Sequence, residues 1–145
     1  MKKKSVNRIE EARIFHEGIE LFNSGEWFDA HEVWEDIWHT ASGPKKLFYQ
    51  GLIQLAVTIE HMRRGNPRGV VAVFASAQTK FVDLPDVYMG VNVRALVGAI
   101  AGMVRPIAAL PPDTFEPGKS RGLSLPVNLN EAPTIELACD PFAPN

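Results

Sequence analysis

One nine-residue stretch holds most of the chemistry that this sequence could perform: His31-Glu32-Val33-Trp34-Glu35-Asp36-Ile37-Trp38-His39. On a helix, His31, Glu35 and His39 fall about 40° apart in a line that borders Trp27, Trp34 and Trp38. A histidine and a carboxylate four residues apart can converge on one point. Such a pair can hold a divalent metal or act as a coupled acid and base. A second set lies downstream, where Gln50, Gln54 and His61 span about 40° of an otherwise apolar segment from Leu47 to Met62. Thr58 stands beside them and Glu60 on the opposite side. A buried polar group without a partner costs about 1–3 kcal/mol, so these three need partners. The neighbouring segment offers His31 and Glu35. The expected site is a polar pocket between two helices, lined by His31, Glu35, Gln50, Gln54 and His61, with Trp34 at its border.

Three functions suit such a pocket. It can bind a small molecule or a divalent metal, with His31, Glu35 and His61 as the metal ligands and the glutamines orienting them. It can be a purely structural hydrogen-bond network inside a protein-interaction module. It can also belong to a metal-assisted hydrolase, with Glu35 or Glu32 as the base. Known metal motifs match imperfectly. Glu35 stands where a zincin HExxH would have its second histidine. Of the two Glu-x-x-His motifs of a di-iron bundle, only Asp36-x-x-His39 comes near.

The elements that must position these residues are helices. Turn and stop signals fall at Asn23-Ser24-Gly25, Ala41-Ser42-Gly43-Pro44, Gly65-Asn66-Pro67 and Leu84-Pro85-Asp86. Between them the apolar spacing is helical, as in Val70, Val73, Phe74, Ala77 and Phe81. Asn66-Pro67 reads as an N-cap followed by proline at the first helical position. The expectation is an all-α fold with helices over 6–23, 27–41, 45–64, 67–82 and 91–105. Short loops make them an array of antiparallel hairpins. An offset of 40 residues pairs Ile19-Glu20 with Ile59-Glu60, Gly25 with Gly65 and Trp34 with Phe74. That is a weak, tetratricopeptide-like repeat of helix-turn-helix pairs.

Seven of the 11 prolines lie at or after Pro111, while all four histidines and all three tryptophans precede residue 62. Residues 1–108 therefore read as a helical domain and 109–145 as a proline-rich arm that no regular helix can occupy. Leu123, Leu125, Val127 and Leu129 alternate in a way that suits an extended arm, lying on its own body or on a neighbouring subunit. Docking and disorder both remain open.

A single cysteine, Cys139, excludes an intrachain disulfide framework and a cysteine-rich zinc site. The net charge of −2 gives no global basic field, so neither nucleic acid nor membrane is an expected partner. Charge is nevertheless segregated: residues 10–36 carry nine acids against Arg13, and residues 37–110 carry eight bases against three acids. The basic start at Lys2-Lys3-Lys4 has no apolar stretch behind it, and the longest apolar run, residues 95–104, is about half a bilayer span. A cytoplasmic protein is expected. Arg63, Arg64 and Arg68 flank the third turn, where two of them suit the C-terminal dipole of the preceding helix, a reading preferred to an anion site. Gly98-x-x-x-Gly102 permits close helix contact and leaves a homo-oligomer open. No phosphate loop, dinucleotide turn or serine elbow is present, and no reaction is named by these residues.

Three stretches together resemble a known family. They are Phe22-Asn23-Ser24-Gly25-Glu26-Trp27-Phe28-Asp29-Ala30-His31-Glu32-Val33-Trp34-Glu35, Gln50-Gly51-Leu52-Ile53-Gln54-Leu55-Ala56, and His61 with Arg64-Gly65-Asn66-Pro67. The combination is similar to the small all-helical prokaryotic family called domain of unknown function 309, over residues 14–105. The resemblance implies an all-α fold and no established activity, cofactor or substrate. Its signature falls on the five pocket residues.

Overall fold

The computed structural model describes residues 6–144, so the basic run Lys2-Lys3-Lys4 lies outside it. Five helices follow one another: α1 (Arg8–Asn23), α2 (Trp27–Trp38), α3 (Gly43–Arg63), α4 (Pro67–Phe81) and α5 (Val93–Ala108). The fold is all-α, and each of the first four helices packs against the next. Local chemistry sets the boundaries. The Asn7 side chain accepts the Glu10 N–H at 2.8 Å to start α1, and Asn66 accepts the Gly69 N–H at 3.0 Å to start α4.

The 40-residue repeat is real at the level of backbone bonds. At the end of α1, Ser24 N–H donates to Glu20 at 3.0 Å and Glu26 N–H to Leu21 at 2.9 Å. At the end of α3, Arg64 N–H donates to Glu60 at 3.0 Å and Asn66 N–H to His61 at 2.9 Å. Both are Schellman-type stops, and both need a left-handed residue: Gly25 has φ +81° and Gly65 has φ +66°.

One core runs through the molecule. Phe15, Phe22, Trp34, Phe48, Tyr49, Leu52 and Ile59 fill it between α1, α2 and α3, and Phe81, Ile100 and Ile107 extend it to α5. Trp34 sits over Gly18 of α1, where no side chain stands in its way. Its indole N–H donates to the Phe15 carbonyl at 3.3 Å. Tyr49 ties α3 to α1 by donating to Glu11 at 2.7 Å. Burial first, and then that bond, push its phenol far above the usual range, so it stays protonated.

Two local expectations are corrected. The fifth helix starts at Val93, two residues later than its spacing suggests, because Val87–Tyr88 (β1) and Val91–Asn92 (β2) form a minimal antiparallel hairpin. Two-residue strands are too short to show alternation. Pro106 lies inside α5, which continues to Ala108. Gly98 and Gly102 are exposed, with nothing within 4 Å of where a side chain would begin, so no helix among the described residues uses them for close contact.

The arm lies on its own body. The Ser120 hydroxyl accepts the Arg68 N–H at 2.9 Å, and the N–H groups of Gly122 and Leu123 donate to Arg64 and Gly65 at 3.2 and 3.1 Å. Farther along, the Asn23 side chain pairs with both backbone groups of Ile135, and Ala138 N–H donates to Gly90 at 2.8 Å. Asp140 meets His16 at 3.2 Å, and Phe142 packs on Phe15 beneath Arg8. No helix among the described residues is long and apolar enough to cross a membrane.

Candidate functional site

On α2, His31 and Glu35 come together as their spacing requires. The Phe28 carbonyl lies 2.5 Å from His31 Nδ1, and a carbonyl only accepts, so Nδ1 carries the proton. Nε2 is left facing Glu35 Oε1 at 3.5 Å, too far for a good hydrogen bond. The His31 ring meets Phe28 edge-on at 4.9 Å, and the Arg64 guanidinium lies 5.2 Å from the centre of the Phe28 ring. The two elements are therefore joined at this end through an aromatic ring and a cation.

Behind Arg64 is a carboxylate that the sequence placed on the far side of α3. Glu60 is 5% exposed and takes hydrogen bonds from Arg63 at 2.5 and 2.9 Å and from Arg64 at 2.6 Å. Burial pushes its carboxyl up, but the bonds from Arg63 and Arg64 and their charges outweigh it and hold the group below the usual carboxylate range. The signal for this cluster was the spacing of Arg63 and Arg64 at three and four residues from Glu60. Both arginines thus serve that carboxylate.

Two polar residues of α3, Gln54 and His61, turn toward α4. Gln54 Nε2 donates to Ser76 Oγ of α4 at 3.0 Å, while Gln54 Oε1 is buried without a partner. The buried Thr58 hydroxyl donates to the Gln54 backbone carbonyl at 2.8 Å. His61 Nδ1 lies 3.1 Å from Asn66 Nδ2, and its ring packs where a Gly69 side chain would begin. Asn66 Oδ1 already accepts from Gly69, so its nitrogen donates to Nδ1, and the proton of the neutral imidazole sits on Nε2. Burial first, then the charge of Arg64, pull His61 below the usual histidine range against the opposing pull of Glu60.

The expected pocket thus resolves into two groups. His31 and Glu35 stand together on α2, and Gln54 and His61 each bond to residues at or in α4. Among the described residues no hydrogen bond or ion pair joins the α2 pair to Gln50, Gln54 or His61. Gln50, Gln54 and His61 are half-buried rather than enclosed. Trp34 lies in the α1–α2 core, its indole N–H on the Phe15 carbonyl. Among the described residues no three His, Cys, Asp or Glu side chains are grouped as a metal ion needs. Apolar spacing fixed the rotation of each residue about its helix; it could not say on which side of α3 each neighbour lies.

A family model described as a domain of unknown function (DUF309) matches residues 15–73, from α1 to the middle of α4. An "Uncharacterized protein" of Aquifex aeolicus (strain VF5) is 29% identical over 96 residues, covering 63% of this chain. The matched part is 29% of that protein, so this chain spans less than a third of its relative's length. The segment that matches holds His31, Glu35, Gln50, Gln54 and His61, and over residues 15–73 the chain resembles the DUF309 family, as its motifs indicate.

Proposed function

We propose that this chain is a helical binding module whose recognition site is the α3–α4 seam centred on Gln54. The ligand is a small polar molecule that donates a hydrogen bond. The observation that carries this reading is the Gln54 amide. Ser76 satisfies one end of it, and the other is buried without a partner. Turning the amide over only exchanges which end is orphaned, because Ser76 reaches one end alone. A buried orphan costs stability, and a donor brought by a ligand would recover it. Gln50 and His61 flank Gln54 on the same half-buried stripe of α3. On α2, the His31 Nε2 and Glu35 Oε1 atoms also present acceptors to a donor.

The bond to Ser76 and the bond between His61 and Asn66 favour a second reading, a purely structural network. Gln54→Leu separates the two. If the orphaned amide end serves a ligand, the variant unfolds at a higher temperature, by about 1 kcal/mol of added stability. If the glutamine is structural, the variant loses stability. Titration of the protein with acetamide, methylammonium or methylguanidinium, followed by NMR, completes the test. At least one probe shifts the Gln54 side-chain amide and the His61 ring in the wild type and shifts neither His61 nor the backbone at position 54 in Gln54→Leu. The absence of any such shift would sink the proposal.

A further inference from the structure

The turn between α3 and α4 collects cations from two distant parts of the chain. Arg63, Arg64 and Arg68 come with the turn itself, and Lys119 and Arg121 come with the arm. Main-chain bonds hold the two sets together. The Gly122 N–H donates to the Arg64 carbonyl at 3.2 Å, and the buried Ser120 hydroxyl accepts the Arg68 N–H at 2.9 Å. Arg121 stands between those two fastenings, and all five basic residues are exposed.

Carboxylates answer only part of this charge. Glu60 takes Arg63 and Arg64, and Glu116 takes Lys119 at 3.1 Å. Glu26 adds a weaker pull on Arg63. Among the described residues no ion pair reaches Arg68 or Arg121. Glu60 takes Nε and Nη2 of Arg63 and Nε of Arg64, so the other guanidinium nitrogens keep donors to spare. An aromatic surface adjoins the cations. Phe28 is 41% exposed, with the Arg64 guanidinium 5.2 Å from its ring centre and the His31 ring edge-on at 4.9 Å. The first N–H groups of α4 add nothing, because Ser120 and Asn66 already hold those of Arg68 and Gly69. Recognition at this turn falls to side chains.

We propose that this patch binds single-stranded nucleic acid, with Arg68 and Arg121 on phosphates and a base stacked on the exposed Phe28 ring. Four of the five cations are arginine, whose planar fork meets phosphate oxygens in pairs. An exposed ring beside such cations suits an unpaired base, which stacks as an acidic peptide or a lipid headgroup does not. The net charge of −2 conceals the patch because acids gather elsewhere. Glu17, Asp29, Glu32 and Asp36 line a cleft between α1 and α2. No residue of the Gln54 seam takes part.

The test is fluorescence anisotropy of a labelled oligothymidylate of about 10 nucleotides with the full chain at low salt. Affinity should fall as salt rises. Arg68→Gln and Arg121→Gln together should weaken binding at least about tenfold. They should also flatten the slope of log affinity on log salt by about 1.4, the share of two phosphate contacts. Phe28→Ala should weaken binding about tenfold with the slope unchanged, because stacking releases no counterions. Arg94→Gln with Arg105→Gln removes the same charge from α5 and should change neither value. No binding at low salt, an equal loss in the α5 pair, or binding indifferent to Phe28 would overturn the proposal. So would oligoglutamate or phosphatidylserine vesicles that bind as tightly through Arg68 and Arg121, which would make the partner an acidic protein or a membrane. Should Phe28→Ala not fold, NMR of the wild type decides. The Phe28 ring protons must shift as the oligonucleotide is added, and an unmoved ring refutes stacking.

Discussion

Glu60 joins two arginines to the end of α3, and its ionisation sets how that turn responds to acid. Its carboxyl is held below the usual range in the folded chain. The stabilisation is therefore complete above the unfolded value and is lost as pH falls through the folded one. Glu60→Gln should unfold with roughly 1–3 kcal/mol less stability at neutral pH. The difference should shrink as pH falls below the ordinary carboxylate range, about 4, and vanish only once the folded carboxylate is itself protonated. Urea unfolding of both proteins at the two pH values measures it. His61 adds a second acid-sensitive contribution. Its folded value is also depressed, so the stability it confers is intact above about pH 6.5 and fades as acid protonates the ring. Because Glu60 pulls His61 upward, the His61 ring should titrate lower still in Glu60→Gln, which NMR detects. This cluster was half legible in the sequence. The spacing of Glu60, Arg63 and Arg64 was visible, but the carboxylate sat on the side of α3 assigned away from the site.

At the scale of elements, the helices were legible because their ends are written in single residues. Asn66-Pro67 and the glycines at 25 and 65 stop and start chains by local sterics that need no tertiary context. Packing partners were less legible. Gly18 and Gly98 look alike in sequence, yet one meets the Trp34 indole and the other meets nothing. Gly18→Ala should therefore overpack the α1–α2 contact and cost about 1–3 kcal/mol. Gly98→Ala, on the open face of α5, should add about 0.5–1 kcal/mol by raising helix propensity. Thermal unfolding of the pair checks both signs at once. A loss of stability at Gly98 would reveal a contact made outside the single chain.

For the molecule as a whole, the segment that matches the family is smaller than the unit that can fold. Residue 73 falls in the middle of α4, and Phe74, Ala77 and Phe81 beyond it are buried. Phe81 packs over Gly51, at the centre of α3. Glu11 and Ile14, ahead of residue 15, hold Tyr49 and the start of the core. A fragment of residues 15–73 should lose most of its helicity by far-ultraviolet circular dichroism, while the full chain keeps it. The arm explains part of that dependence and was the least legible region. Many of its hydrogen bonds to the body are to backbone atoms, which leave little mark in residue type. Position 65 carries a double demand. Its left-handed φ of +66° would admit asparagine as well as glycine. Any Cβ there, however, would run into the backbone of Leu123. In sequences with the same four helices, the choice between glycine and asparagine at this turn therefore becomes a readable marker. Asparagine there means that nothing crosses the turn, and a chain that wears an arm in this place can only keep glycine.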